Sequence, residues 1–287
     1  MFAVFKKELQ AYFHNVTGFI FMGFFLLITG FFFTTMNLLQ SSPEYNGVLG
    51  TITFTFLIVV PILTMRLLSE ESRQKTDQLL FTSPVGISGI VLGKYLAALC
   101  VFLMTLMVTF VYPVLISFVG RIATAQVASG YVGMFLLGAS FIALGLFVSS
   151  LTDNQVIAAV VTFAVLLFVW ILDWIQQAIP SDALSGLVFA ALLAAGFTAF
   201  VFLTVRNIIV TTSTGVIGAA VIVIVYLTNS SGYQGFIVNF LKWFSLLKRY
   251  GDFNMGVLSL SPIIYYISFC FAFIFLTIRV IEKRRWK

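Results

Sequence analysis

Apolar runs of about 18 residues or more recur along the chain, separated by short polar knots. They fall at residues 16–39, 50–68, 90–119, 131–151, 155–174, 184–205, 208–228 and 262–281. A helix needs roughly 20 residues to cross a hydrocarbon slab of about 30 Å, so the pattern predicts eight membrane-spanning helices. Between the fourth and fifth runs stand only Thr152, Asp153 and Asn154, which predicts a tight helical hairpin. Arg206 and Asn207 separate the sixth run from the seventh. The first run follows Lys6 and Lys7 as a signal peptide would, yet about 24 residues without a small-residue cleavage site predict a retained span.

Three polar stretches do not fit the spanning pattern. In residues 2–15, at 100° per residue, Phe2, Phe5, Leu9, Tyr12, Phe13 and Val16 share an arc of about 100°, with Lys7, Glu8, Gln10 and His14 elsewhere on the wheel. That predicts a helix lying in the membrane interface. Residues 69–89 are longer than the two to eight residues a bare connector takes. Ser69 is placed to cap a helix there, Glu70 and Glu71 sit in its first turn near the positive end of the dipole, Glu71 and Lys75 form an i,i+4 pair, and Pro84 stops it. The helix has a polar body from Arg73 to Gln78, including Lys75, Thr76 and Asp77, and an apolar end at Leu79, Leu80 and Phe81. In residues 230–261 the apolar stretch of about 15 residues is too short to cross, which predicts an interfacial or re-entrant helix.

Composition sharpens this picture. Of 287 residues, 61% are hydrophobic and 9% charged, against roughly 25% charged in a soluble domain, so the solvent of this chain is largely lipid. With the N-terminus cytoplasmic, twelve of the 16 Lys and Arg fall on the inner side, leaving only Arg121, Lys242, Lys248 and Arg249 outside. Every short loop obeys the positive-inside rule except the one carrying Arg121. Inner acids number six and outer acids four, so the whole net charge of +6 is cytoplasmic and no nucleic-acid partner is implied. Trp170 and Trp174 fall at the outer end of the fifth span and Trp286 at the inner end of the eighth, where indole rings prefer to sit.

The chemistry is sparse. His14 is the single histidine, and Cys100 and Cys270 each lie in an apolar run, so no His- or Cys-rich metal site and no His-based triad can form. The string Gly93-Lys94-Tyr95 lacks the earlier glycine and the hydroxyl of a phosphate-binding P-loop. No span centre carries Asp, Glu, Lys or Arg, which disfavours an ion-coupled carrier. The remaining expectation is a membrane body without its own energy source, docked to a separate motor.

Several strings carry a resemblance. These are Pro61-Ile62-Leu63-Thr64-Met65-Arg66, Glu70-Glu71, Lys75-Thr76, Leu79-Leu80, Ser83-Pro84-Val85 and Leu92-Gly93-Lys94-Tyr95. To them add Gly145 to Thr152 with Asn154-Gln155, and the tail from Phe244-Ser245-Leu246 through Tyr265-Tyr266 to Glu282-Lys283-Arg284-Arg285-Trp286. Over residues 1–177 and 244–287 the chain resembles ABC-2 type permeases, in particular the branch related to the bacterial gliding-motility ABC transporter. The resemblance implies an all-α integral membrane protein, residues 1–287 forming one ABC-2 type transmembrane domain of six core helices, with 184–228 as an extra pair. It implies a permease subunit in the bacterial inner membrane, exporting material and working with a second permease, alike or different, and with cytoplasmic ABC ATPase subunits that bind the ATP and Mg. An auxiliary extracellular or membrane subunit is compatible with it. Under this resemblance Glu70, Glu71, Arg73, Lys75, Thr76, Asp77, Leu79, Leu80, Phe81 and Pro84 form the coupling helix seated on the ATPase. Thr152, Asp153, Asn154 and Gln155 give a smaller cytoplasmic contact, and Phe2, Phe5, Lys6, Lys7, Leu9, Tyr12 and Phe13 belong to the interfacial helix. The alternatives are a non-transporting anchor or sensor for an ATPase, or an autonomous carrier.

Overall fold

The computed structural model describes residues 1–74, 86–118, 120–179, 182–205, 207–228 and 233–285, and every regular element among them is helical. In chain order these are α1 (Phe2–His14), α2 (Val16–Phe33), α3 (Asn46–Ile52), α4 (Phe56–Thr64), α5 (Ser69–Gln74), α6 (Ile87–Thr109) and α7 (Val111–Ser117). There follow α8 (Thr124–Leu151), α9 (Gln155–Ala178), α10 (Ala183–Val205), α11 (Ile208–Thr228), α12 (Phe236–Phe244), α13 (Leu246–Asn254) and α14 (Leu260–Arg285). Among the described residues, seven helical segments are long and apolar enough to cross a bilayer: Val16–Leu38, Asn46–Gln74, Ile87–Ser117, Thr124–Leu151, Gln155–Gln176, Val210–Thr228 and Leu260–Arg284. The eighth expected span, at 184–205, coincides with the helix α10, Ala183–Val205.

The described residues divide into two compact units, residues 1–168 with 246–287, and residues 169–245. The first is built around α8. In its most apolar 18-residue window 78% is buried, against 17% for α14, so α8 is the axis and α14 an exposed flank. Small residues let neighbours close on that axis. A Cβ on Gly145 would stand 2.3 Å from Thr64 Oγ1 of α4, one on Gly138 2.3 Å from the Phe102 ring of α6, and one on Gly133 2.5 Å from Phe253 of α13. Around Phe102, the rings of Phe21, Phe25, Phe56 and Phe135 lie with centroids 5.5–6.5 Å away, a cluster that ties α2, α4, α6 and α8 together.

The second span begins earlier than its apolar run, at Asn46, because Asn46 is itself buried and its amide donates to Gln126 O (2.9 Å) and Asn254 O (2.8 Å). In the second unit α10 and α11 pack side by side through Ala194 and Thr198, which face Gly218 and Gly215. The Ala191, Ala195 and Ala199 row is exposed instead, so close approach comes from the glycines of the partner helix. The stretch after α11 forms two nine-residue helices, α12 and α13, neither long enough to cross. Within the second unit, Asp173, the acid at the end of the fifth span, accepts hydrogen bonds from the Ser245 hydroxyl and from Gln176 Nε2 (3.3 Å).

Candidate functional site

At the end of the first unit where the two termini of the chain lie, α5 emerges from the second span. The α-helix stops at Thr64, turns over residues 65–68 and restarts at Ser69. That turn is held from α8. The Ser149 hydroxyl accepts from the backbone N–H of Leu68 (3.1 Å) and Ser69 (3.2 Å) and lies 3.3 Å from Met65 O, so groups the broken helix leaves without partners are met by one side chain. Ser69 is not the exposed cap its position suggests. It is buried, and its hydroxyl donates back to Met65 O.

Glu70 and Glu71, adjacent in sequence, are held from different sides, the first by Arg66 of the turn and the second by Lys94 of α6. Arg66 clasps Glu70 with two hydrogen bonds, Nε to Oε2 (2.8 Å) and Nη2 to Oε1 (2.7 Å), and its third nitrogen donates to Thr17 Oγ1 of α2 (2.8 Å). This is the bidentate geometry that makes arginine pairs stronger than single contacts. Glu71 turns toward α6, where Lys94 Nζ lies 3.0 Å from its Oε1 and 2.8 Å from Glu8 Oε1 of α1, with Lys7 Nζ at 4.0 Å from Glu71. Lys94 is 1% exposed. It is a cation two turns inside the third span, where an ammonium is tolerated only when paired.

Lys94 is one of the twelve inner-side charges, and on the wheel Glu8 lies outside the apolar arc of α1. In the structure α1 lies on α6 along the stripe Val4, Glu8 and Tyr12, where Glu8 meets Lys94. Phe2 is 74% exposed, and Phe5, Leu9 and Phe13 are half-buried. These side chains form the outward face, suited to lipid. Close approach of α1 is permitted by Gly93, where a Cβ would stand 3.0 Å from Val4 Cβ. Tyr12 completes the seat by donating to Leu63 O (2.8 Å), and burial pushes its phenol far above the ordinary value, so it remains a donor across the physiological range. Lys6 and Lys7 are exposed.

On the opposite flank Arg284, near the end of α14, donates from Nη1 to Asp153 Oδ1 (2.9 Å) in the helical hairpin and to Ser72 Oγ of α5 (3.2 Å). In the same hairpin Asn154 caps α9 by accepting the Val156 N–H at 2.9 Å, while Thr152 Oγ1 accepts the Asn154 N–H at 3.2 Å. Gln155 is the first residue of α9. The Arg284 to Asp153 pair is half-exposed, so Arg284→Ala is expected to cost no more than about 1 kcal/mol of stability. It should still accelerate amide exchange in residues 69–74, and mass-spectrometric hydrogen exchange reads both effects.

Of the ten residues expected in the coupling helix, the structure describes three. Glu70 and Glu71 are engaged as above and Arg73 is exposed, whereas Lys75, Thr76, Asp77, Leu79, Leu80, Phe81 and Pro84 lie outside the described residues. Sequence reasoning missed Lys94, Glu8, Arg66 and Ser149. A signal for the first existed, since a lone lysine at the head of a long apolar run requires an acid from another segment.

The assembly therefore joins five elements, α1, α2, α6, α8 and α14, to the start of one short polar helix. Its described residues hold no cluster of His, Cys, Asp and Glu suited to a metal ion. What the site offers is a short polar helix whose first residues are fixed by charge pairs. No curated protein matches the chain. The profile of the ABC-2 family transporter protein matches residues 33–184, which take in α3 to α9 and with them Arg66, Glu70, Glu71, Lys94, Ser149 and Asp153. That stretch is more than half of the chain, and with the apolar helices around it the chain belongs to the ABC-2 family as a multi-pass membrane permease subunit of an ABC transporter.

Proposed function

We propose that this permease is an exporter of the gliding-motility-related branch, driven by separate cytoplasmic ATPase subunits through the helix that starts at Ser69. In this reading both termini face the cytoplasm across a bacterial inner membrane, and ATP and Mg reside on the ATPases. Two permease subunits, alike or different, enclose the path. The observation that carries the reading is the root of α5, where Glu70 is bound to Arg66, itself tied to α2, and Glu71 to Lys94 of α6, which also binds Glu8 of α1, while Ser72 is bound to Arg284 of α14. A helix held on several sides transmits a push at its free end to the spans behind it, and a loosely tethered loop does not. Twelve inner positive charges against four outer ones support the orientation.

When the ATPases close on ATP, the segment from Arg73 to Pro84 is displaced and the turn at 65–68 carries the motion into the second and third spans. Gln74→Pro removes an N–H and breaks the helix just beyond its charged root. The variant is expected to insert and to copurify with its ATPase. Stimulation of ATP hydrolysis by the permease should fall by roughly 5- to 150-fold, the range of a coupling free energy of about 1–3 kcal/mol. Unchanged stimulation in an inserted Gln74→Pro protein would overturn the assignment.

A further inference from the structure

The end of the first unit remote from α5 carries a feature that coupling does not use. After α2 the helix widens into one π-turn, Thr34–Leu38, and the chain then passes through Ser41 in the left-handed region (φ 51°) before reaching Asn46. Both are strained or uncommon conformations for such residues, of the kind that persists where surrounding structure or function requires it. On one side of this loop is a cavity of about 460 Å³, lined by Phe33, Asn37, Leu38 and Pro43 of the loop side and by Leu115 and Ile116 of α7. Leu38 and Leu115 are exposed, 57% and 48%, so its mouth faces the lipid. On the other side is a second pocket of about 160 Å³, with Glu44, Tyr45, Asn46, Arg121 and Gln126 in its wall. Pro43 belongs to both walls, and a Cβ on Gly120 would stand 3.4 Å from it, so the loop and the segment before Arg121 touch where the pockets meet.

The two pockets have complementary characters. The larger is mainly hydrocarbon. The smaller presents one carboxylate and one guanidinium, both exposed, and neither pairs with a charged group among the described residues. In the wall of the larger, bonded to the loop that carries Glu44, Asn37 is 4% exposed. Its Nδ2 donates to Ser42 O (2.7 Å) and Glu44 O (3.2 Å), which fixes the amide, and its Oδ1 is buried with no donor among the described residues. A buried acceptor left so costs about 1–3 kcal/mol unless a ligand or water supplies the hydrogen bond. Arg121 is also the one positive charge in a short loop that violates the orientation rule, which gives it a reason to be there other than topology.

We infer that the paired pockets around Pro43 form a binding site for one phospholipid of the far leaflet with a phosphate and a primary ammonium in its head, a phosphatidylethanolamine. The acyl chain enters between Leu38 and Leu115, the phosphate meets Arg121, and the ammonium meets Glu44. With one charge of each sign in the wall, a zwitterionic head is matched and a singly anionic head is not. A primary ammonium brings three N–H donors to the neighbourhood of Asn37 Oδ1, and a trimethylated head brings none.

The full chain in nanodiscs, doped with phosphatidylethanolamine carrying a diazirine on its acyl chain, tests the site by photolabelling and peptide mapping. Label should concentrate on residues 37–43 and 111–118, about tenfold above the exposed face of α14, a difference of roughly 1.4 kcal/mol. Leu115→Trp, which fills the cavity from an exposed position, and Arg121→Gln should each lower that excess several-fold while size-exclusion profile and thermal midpoint are unchanged. The inference fails if label is spread evenly over the apolar surface, as for ordinary annular lipid. It fails equally if the phosphatidylcholine or phosphatidylglycerol analogue labels the same peptides as strongly, or if both folded variants keep the excess.

Discussion

Lys94→Met is expected to release α1 and the root of α5 together. The ammonium is the common partner of Glu8 and Glu71 and is buried, whereas both acids keep about 15% side-chain exposure. Removing it leaves two carboxylates converging on an apolar thioether, and breaking a buried pair from one side costs about 3–5 kcal/mol. Since 1.36 kcal/mol is a decade, amides in residues 2–14 and 69–74 should exchange faster by roughly two to four decades. Exchange in the centre of α8, which shares no partner with the cluster, should be unaffected. Glu8→Gln is milder, because Lys94 retains Glu71. Under the proposed coupling, the same Lys94→Met protein should lose most permease-stimulated ATP hydrolysis while still binding the ATPase, since the substitution leaves residues 73–84 unchanged. Unaltered exchange in residues 2–14 would mean that the charge cluster does not hold α1, and Val4 and Tyr12 alone would then account for its seat.

The contrast between this cluster and the spans shows which parts of the molecule were legible in the sequence. Spans are local, since twenty apolar residues in lipid have no alternative to a helix that satisfies its own backbone. The predicted ends therefore lie close to the observed ones, with 155–174 against Gln155–Gln176 and 208–228 against Ile208–Thr228. The second span departs from its apolar run for non-local reasons. Asn46 is polar and drops out of any hydropathy window, yet it is helical because its amide is bonded by residues 80 and 208 positions away. The amphipathic character of residues 2–15 was equally visible, but not which face packs. The wheel groups the phenylalanines on the arc assigned to the membrane interface, whereas the seam with α6 runs along Val4, Glu8 and Tyr12. Lys94 decided the choice by drawing Glu8 inward across 86 residues of sequence. Glu70 and Glu71 are legible as first-turn acids and Arg66 stands four residues before Glu70, but Lys94, the partner of Glu71, comes from a span whose place around α8 no local pattern encodes.

Gly145→Ala is expected to destabilise the bundle although it adds a single methyl group. The new carbon would stand 2.3 Å from Thr64 Oγ1 and 2.8 Å from Thr64 Cβ, distances no side-chain rotation relieves, because Cβ is fixed to the backbone of α4. Thr64 itself is fully buried and its hydroxyl donates to Val60 O at 2.9 Å. Relief requires α4 and α8 to separate, and α8 is packed against α6, α13 and α14 as well. Overpacking of this kind costs about 1–3 kcal/mol for a methylene, and Gly145→Val should exceed it and leave little folded protein. The turn at 65–68 begins one residue beyond Thr64, so a wedge here also moves Ser149 away from the N–H groups of Leu68 and Ser69. The measurement is the thermal midpoint of the detergent-extracted chain by fluorescence-detected size exclusion, with hydrogen exchange at residues 65–74 alongside. Transferring the notch to the other helix is the decisive control. In Gly145→Ala combined with Thr64→Gly, the Cβ of α8 enters the space vacated on α4, and the midpoint should recover most of its loss despite a second glycine in a helix. If the double variant is as unstable as the sum of the two single ones, the helices are not interlocked at this point and close packing of α4 on α8 is not what fixes the root of α5.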